Sequence, residues 1–114
     1  MVIDAPSAGH ATAELEITDD LRNPNGVLHG AILFALVDTG MGAATMSTLE
    51  EGLACASIEV HLRFLRPVST GIVRADVEVL RRGRRVVQLE GRVRDDEGHL
   101  VAVATGSFAV IRPG

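Results

Sequence analysis

Hydrophobic and small side chains fill almost every position from residue 29 to residue 46, "HGAILFALVDTGMGAATM", and beyond residue 57 the pattern switches to alternation. An apolar run of that length with no polar face predicts a helix, from about Leu28 to Thr48, enclosed by protein on nearly every side. Gly40, Gly42, Ala43 and Ala44 make a small-residue stretch within it that admits close approach of other backbone. In "SIEVHLRF" Ile58, Val60, Leu62 and Phe64 share one face, and Ser57, Glu59, His61 and Arg63 the other. Val73, Ala75, Val77 and Val79 alternate with charged residues, and Val87, Leu89, Gly91 and Val93 with Gln88 and charged residues. These stretches predict strands. Two more follow from the alternation of residues 10–18 and from the mostly apolar residues 100–111.

Both inward sets flanking Gly83 are odd-numbered, so a hairpin loop of odd length is expected there, with Gly83 in a left-handed conformation. Turn residues occupy "DDLRNPNG" and "DDEGH". No repeat or linker divides the chain. The expectation is one α+β domain over residues 1–114, in β-α-β-β-β-β order, with a five-stranded antiparallel sheet wrapped around one long buried helix.

Composition narrows the setting. Net charge is −4, and all 11 basic residues are Arg, with no Trp or Tyr, which argues against a nucleic-acid surface. Asp38, Gly40 and Gly42 interrupt the apolar run, so no membrane span is expected. The first ten residues lack the basic and apolar regions of a secretion signal, which implies a cytoplasmic protein. Cys55 has no partner for a disulfide and reads as a small core residue. His10, His29, His61 and His99 are scattered without metal-ligand spacing, so neither a metal nor a cofactor is implied. No G-x-S-x-G elbow supports a Ser-His-Asp hydrolase.

Asp38 is the chemical anomaly. A carboxylate in low dielectric costs several kcal/mol unless it is paired, and no Lys or Arg lies three or four residues away on the helix. Its structural alternative is a hydrogen bond to a neighbouring loop or a kink beside Gly40. Upstream, "NPNGVLHG" brings Asn23, Gly26, His29 and Gly30 to the helix entrance, where free N–H groups can hold an oxyanion. "RRGRR", residues 81–85, is a second candidate. Arg81, Arg82, Arg84 and Arg85 around Gly83 suit either phosphate binding or a solvated edge that discourages aggregation.

"NPNGVLHGAILFALVD", with "SIEVHLRFLRP" and "GRVRDDEGHLVAVATGSF", resembles the hotdog-fold acyl-CoA thioesterases of the phenylacetyl-CoA thioesterase group, over about residues 10–111. The resemblance implies that Asp38 is the catalytic carboxylate and that the Gly30 amide polarises the thioester carbonyl. It implies supporting roles for Asn23 and Ser57, and places coenzyme A near the Arg hairpin and the second strand, with Glu59 and Phe64 as further contacts. His29 is expected to organise the loop beside the substrate. The family's His-Gly-Gly reads His29-Gly30-Ala31 here, which reduces space beside the thioester. A hotdog hydratase would place a His at position 43, which is Ala. A non-catalytic acyl-CoA-binding dimer is the other alternative.

Spacing adds a conclusion of its own. Eight residues of helix separate Gly30 from Asp38 by about 12 Å, too far for one carbonyl to touch both. If both act on it, they come from different subunits across a two-fold axis. A homodimer with shared sites is therefore expected, assembling further to a tetramer.

Overall fold

The computed structural model describes residues 1–113. Its elements are β1 Val2–Ser7, β2 His10–Glu16, a short 3-10 turn at Asp19–Leu21, α1 Gly30–Met46, β3 Ala54–Phe64, β4 Ile72–Arg82, β5 Val86–Arg94 and β6 Leu100–Ile111. All strand pairs are antiparallel, in the spatial order β1-β2-β4-β5-β6-β3. The sheet therefore has six strands, one more than the expected five. The additional strand, β1, is exposed along its whole length and has no inward apolar face. Without that face, alternation could not reveal it.

The helix packs across all six strands. Leu33, Leu36, Val37, Met41 and Ala44 are buried against Ala11, Ala13, Val73, Ala75, Val77 and Leu89. Each fully buried Leu, Val or Met contributes roughly 1.5–3 kcal/mol. Met41 is a core residue: it is fully buried, and a Cβ at Gly91 would lie 3.7 Å from its methyl group.

The helix is not enclosed on every side, however. Ala31, Phe34, Ala35 and Met46 are exposed, and Asp38 and Gly42 only half-buried. These positions recur every three or four residues and form one uncovered stripe. Its ends also lie inside the expected bounds of 28–48.

The hairpin between β4 and β5 corrects a second expectation. Gly83 does not have a positive φ. Glycine is required for another reason: a Cβ there would collide with the Val86 carbonyl. Arg82 pairs with Val87, leaving an even number of residues between them. The odd-numbered register Val79↔Leu89 and Val77↔Gly91 is restored by a bulge at Leu80.

A bulge also reorders β3. Ser57 opposes Phe108 while Glu59 opposes Ser107, so Ile58 is the extra residue and is exposed. Strict alternation put Ser57 and Glu59 on one face. The bulge instead puts Ser57 on the face of Phe108, whose ring lies against the helix at Gly42. β3 is also an edge strand of 11 residues with no proline to blunt it.

Candidate active site

The loop before α1 is built around Asn23. Its Oδ1 accepts hydrogen bonds from the N–H groups of Asn25 (2.9 Å) and Val27 (3.2 Å). Its own N–H donates to the Val27 carbonyl at 2.7 Å. The side-chain oxygen thus organises the loop, and only the Nδ2 amide is left to face a ligand. His29 holds the loop through its backbone, its N–H donating to the Leu21 carbonyl at 3.0 Å. Its exposed side chain does not cap the helix. Gly30 is the first residue of α1, and no side chain from the N-cap engages the opening amides. The positive end of the helix dipole at Gly30 therefore meets no acceptor from the N-cap side chain.

Phe64, at the end of β3, covers this terminus. A Cβ on Gly30 would lie 3.0 Å from the Phe64 Cζ atom, so the ring packs tightly against the opening turn and would have to give way to a side chain there. A cleft of about 410 Å3 opens beside them, lined by apolar residues of both segments, among them Leu28, Leu33, Phe64 and Leu65, and by the charged Arg66.

Asp38 lies two turns further along the helix. Its Oδ1 is buried and has no hydrogen-bond partner among the described residues. The structural alternative, a hydrogen bond from a loop, is therefore not made by this atom. β3 runs alongside the helix in the opposite direction, with Phe64 against Gly30 and Cys55 against Gly42. Burial pushes the Cys55 thiol up from its ordinary pKa, and the negative charge of Asp38 adds to that shift. A thiol so placed is a poor nucleophile. It is half-buried rather than in the core.

The remaining candidates are not all brought together. Glu59 projects from the outer face of the sheet, where its Oε2 lies 3.4 Å from His61 Nε2. That face is opposite the helix, so Glu59 does not approach Gly30 or Asp38. Arg82 bonds the Gly83 carbonyl and reaches Glu50 at 3.2 Å, beyond the C-terminal end of the helix. Arg81, Arg84 and Arg85 beside it are exposed. Within one chain the Arg hairpin is thus at the opposite end of α1 from Gly30. The apolar cleft residues Leu28, Leu65 and Val68 were not singled out by sequence reasoning. As isolated apolar residues outside any periodic run they carry no distinguishing signal.

One long helix cradled by an antiparallel sheet is the hotdog architecture. The thioesterase superfamily profile matches residues 25–102. The chain is 34% identical to the proofreading thioesterase EntH of Klebsiella pneumoniae, over 91% of this chain and 76% of that one. It superimposes on a phenylacetic acid degradation-related protein from Ralstonia eutropha at a TM-score of 0.87 and 35% identity, covering 95% of this chain and 83% of the other. A Bacillus halodurans protein crystallised with CoA gives a TM-score of 0.87 at 30% identity, covering 92% of this chain and 70% of the other. The chain belongs to the thioesterase superfamily, and it is a thioester hydrolase. No helix among the described residues is long and apolar enough to cross a membrane.

Proposed function

We propose that the protein hydrolyses acyl-CoA thioesters as a homodimer with two equivalent sites, each combining the Gly30 amide of one subunit with Asp38 of the other. The observation that carries this reading is the position of both residues on one helix, eight residues and about 12 Å apart. The uncovered stripe through Phe34 and Asp38 and the free edge of β3 provide a continuous surface on which a second copy can pack. Dimers of this kind can pair further into tetramers.

Chemistry at such a site is economical. Thiolate is a good leaving group, so hydrolysis needs an oxyanion site and one carboxylate and little acid assistance. The Gly30 amide and helix dipole stabilise the negative charge that develops on the carbonyl oxygen. Asp38 either takes a proton from the attacking water or attacks the carbonyl itself, forming an anhydride that water then opens. In both cases the acyl group leaves as a carboxylic acid and coenzyme A as the thiol. In this reading Ser57, on the helix side of β3, and the Asn23 Nδ2 group orient water or thioester.

An antiparallel arrangement that sets Asp38 opposite the partner's Gly30 also brings the Arg hairpin of the Asp38-bearing subunit to that end of the site. Coenzyme A phosphates then contact Arg81, Arg84 and Arg85 of that subunit, as charge-assisted bonds from guanidinium to phosphate. The CoA found in the Bacillus halodurans relative supports this ligand class. The test is thiol release from a panel of aromatic and aliphatic acyl-CoAs, with Asp38→Ala alongside. Turnover of several esters that vanishes in the variant is the expected result. Turnover that persists in a folded Asp38→Ala protein overturns the assignment.

A further inference from the structure

Building on the shared-site reading above, we infer that three residues on the outer face of β3 key the dimer and place it under proton control. Glu59 of each chain meets the partner's Arg63, the two His61 rings meet on the two-fold axis, and acid loosens the assembly through those rings.

The register follows from the helix. Setting Asp38 opposite the partner's Gly30 centres the axis on Phe34. β3 runs back along the helix, with Phe64 against Gly30 and Cys55 against Gly42. A third of the way along each lies Phe34 on the helix and His61 on the strand. β3 is a free edge without proline, whereas the other edge strand, β1, is interrupted by Pro6. A two-fold axis normal to the sheet keeps each face on its own side, so opposed residues of the two β3 strands must share a face. The unbroken stretch runs from Glu59, just past the bulge at Ile58, to Phe64. Centring the pairing on Val60 would run it into that bulge, and centring it on Leu62 would set His61 against the partner's Arg63. His61 is the remaining centre.

Both faces are then complementary. The outer face sets Glu59 opposite the partner's Arg63, and the helix face sets Val60 opposite the partner's Leu62. Arg63 is exposed and makes no ion pair among the described residues, so its guanidinium is free for this contact. His61 Nε2 already lies 3.4 Å from Glu59 Oε2 within one chain. That attraction exists before the chains meet, and pairing adds the repulsion of two imidazolium rings directly opposite each other. Glu59 also shields His61 less once it is shared with the partner's Arg63. Beside His61 on the same face, β6 offers only the uncharged Val103, Thr105 and Ser107. Beyond them lie Glu90 and Arg92 of β5, whose opposite charges offset each other. Histidine gains its charge between about pH 8 and pH 5, so the dimer is tightest when both rings are neutral.

Charge reversal tests the register. Glu59→Arg sets a guanidinium against the partner's Arg63, and Arg63→Glu sets a carboxylate against the partner's Glu59. Each variant alone should dimerise about tenfold more weakly than the parent. A mixed dimer of the two restores opposite charges at both contacts. With differently tagged chains, mixed dimers should therefore clearly exceed the half or so that random exchange gives, and thiol release from acyl-CoA should recover on mixing. A mixed fraction that stays at about half overturns the register. Sedimentation between about pH 8 and pH 5.5 tests the proton control. The parent's dimer dissociation constant should rise about threefold more than that of His61→Gln, and His61→Arg at the higher pH should dissociate as the parent does at the lower. Parallel curves for parent and His61→Gln overturn the proton control. A parent that releases thiol as a monomer defeats the shared-site reading itself. An active dimer whose charge variants mix at random leaves that reading standing and removes only this inference.

Discussion

Gly30 and Asp38 occupy the first and third turns of the same helix, eight residues apart. At 1.5 Å per residue that places them about 12 Å from one another along the axis, beyond the reach of a single carbonyl group. Gly30 presents a helix terminus without a side-chain cap, and Asp38 a buried oxygen without a partner. In the proposed shared-site reading each is half of a site.

Removing the Asp38 carboxylate should abolish turnover without unfolding the protein. Asp38→Asn and Asp38→Ala are expected to lower kcat by about 100-fold or more, the usual range for loss of a general base or nucleophile. Because Oδ1 makes no hydrogen bond, its loss breaks no structural contact made by that atom. Thermal denaturation of the variants should therefore remain close to that of the parent. A large fall in Tm accompanying the loss of activity would make Asp38 structural.

The shared site can be reconstituted from two dead proteins. Gly30→Pro removes the amide at the first helical position, where proline is best tolerated, although the Phe64 ring must shift to admit it. Mixed with Asp38→Ala, it should form dimers in which one site carries both defects and the other neither. Random exchange makes about half the dimers mixed, which restores roughly a quarter of parental activity. Thiol release that stays at background in verified mixed dimers would place both groups elsewhere.

Placing Asp38 opposite the partner's Gly30 on antiparallel helices centres the two-fold axis on the residue midway between them, Phe34. Its side chain is 42% exposed within one chain. Phe34→Glu should place two like charges at the axis, shift the protein to monomer in sedimentation experiments, and abolish activity in proportion. Phe34→Leu should preserve both. A dimeric, active Phe34→Glu protein would exclude this arrangement.

The hairpin arginines should affect KM more than kcat. Arg82 is engaged with Glu50 and Gly83, whereas Arg81, Arg84 and Arg85 are exposed. Replacing those three with Ala should raise KM for acyl-CoA, with added salt shrinking the difference. A pantetheine thioester, which lacks the nucleotide, should respond little. Equal losses for both substrates would indicate a damaged fold.

Acid stability should depend on Asp95 in the turn before β6. Burial alone would raise its pKa, but N–H groups of His99 and Glu97 and the His99 ring outweigh that and hold the carboxyl below its ordinary range. A depressed folded-state pKa contributes stability above the unfolded pKa, and that contribution is lost as pH falls through the folded one. Asp95→Asn should thus lower Tm near neutrality and flatten its decline below about pH 4. Parallel curves for parent and variant would show that the turn does not depend on the charge.

Apolar runs identified α1 and β6, and alternation identified β2 to β5, because apolar residues gather wherever a helix or a strand face must leave water. Asp38 and Gly30 were legible for the same reason: a carboxylate in an apolar helix and a glycine at its entrance depart from that pattern. β1 was not, since a fully exposed edge strand has no buried face to mark it. Nor was the orientation of Ser57, which depends on a single extra residue at Ile58 that redirects the chain without altering composition. The cleft of Leu28, Leu65 and Val68 assembles from segments distant along the chain, so only folding gathers it. Local sequence determines which residues seek burial; the crossing of the chain from β2 through α1 to the far edge at β3 determines which of them meet beside Gly30.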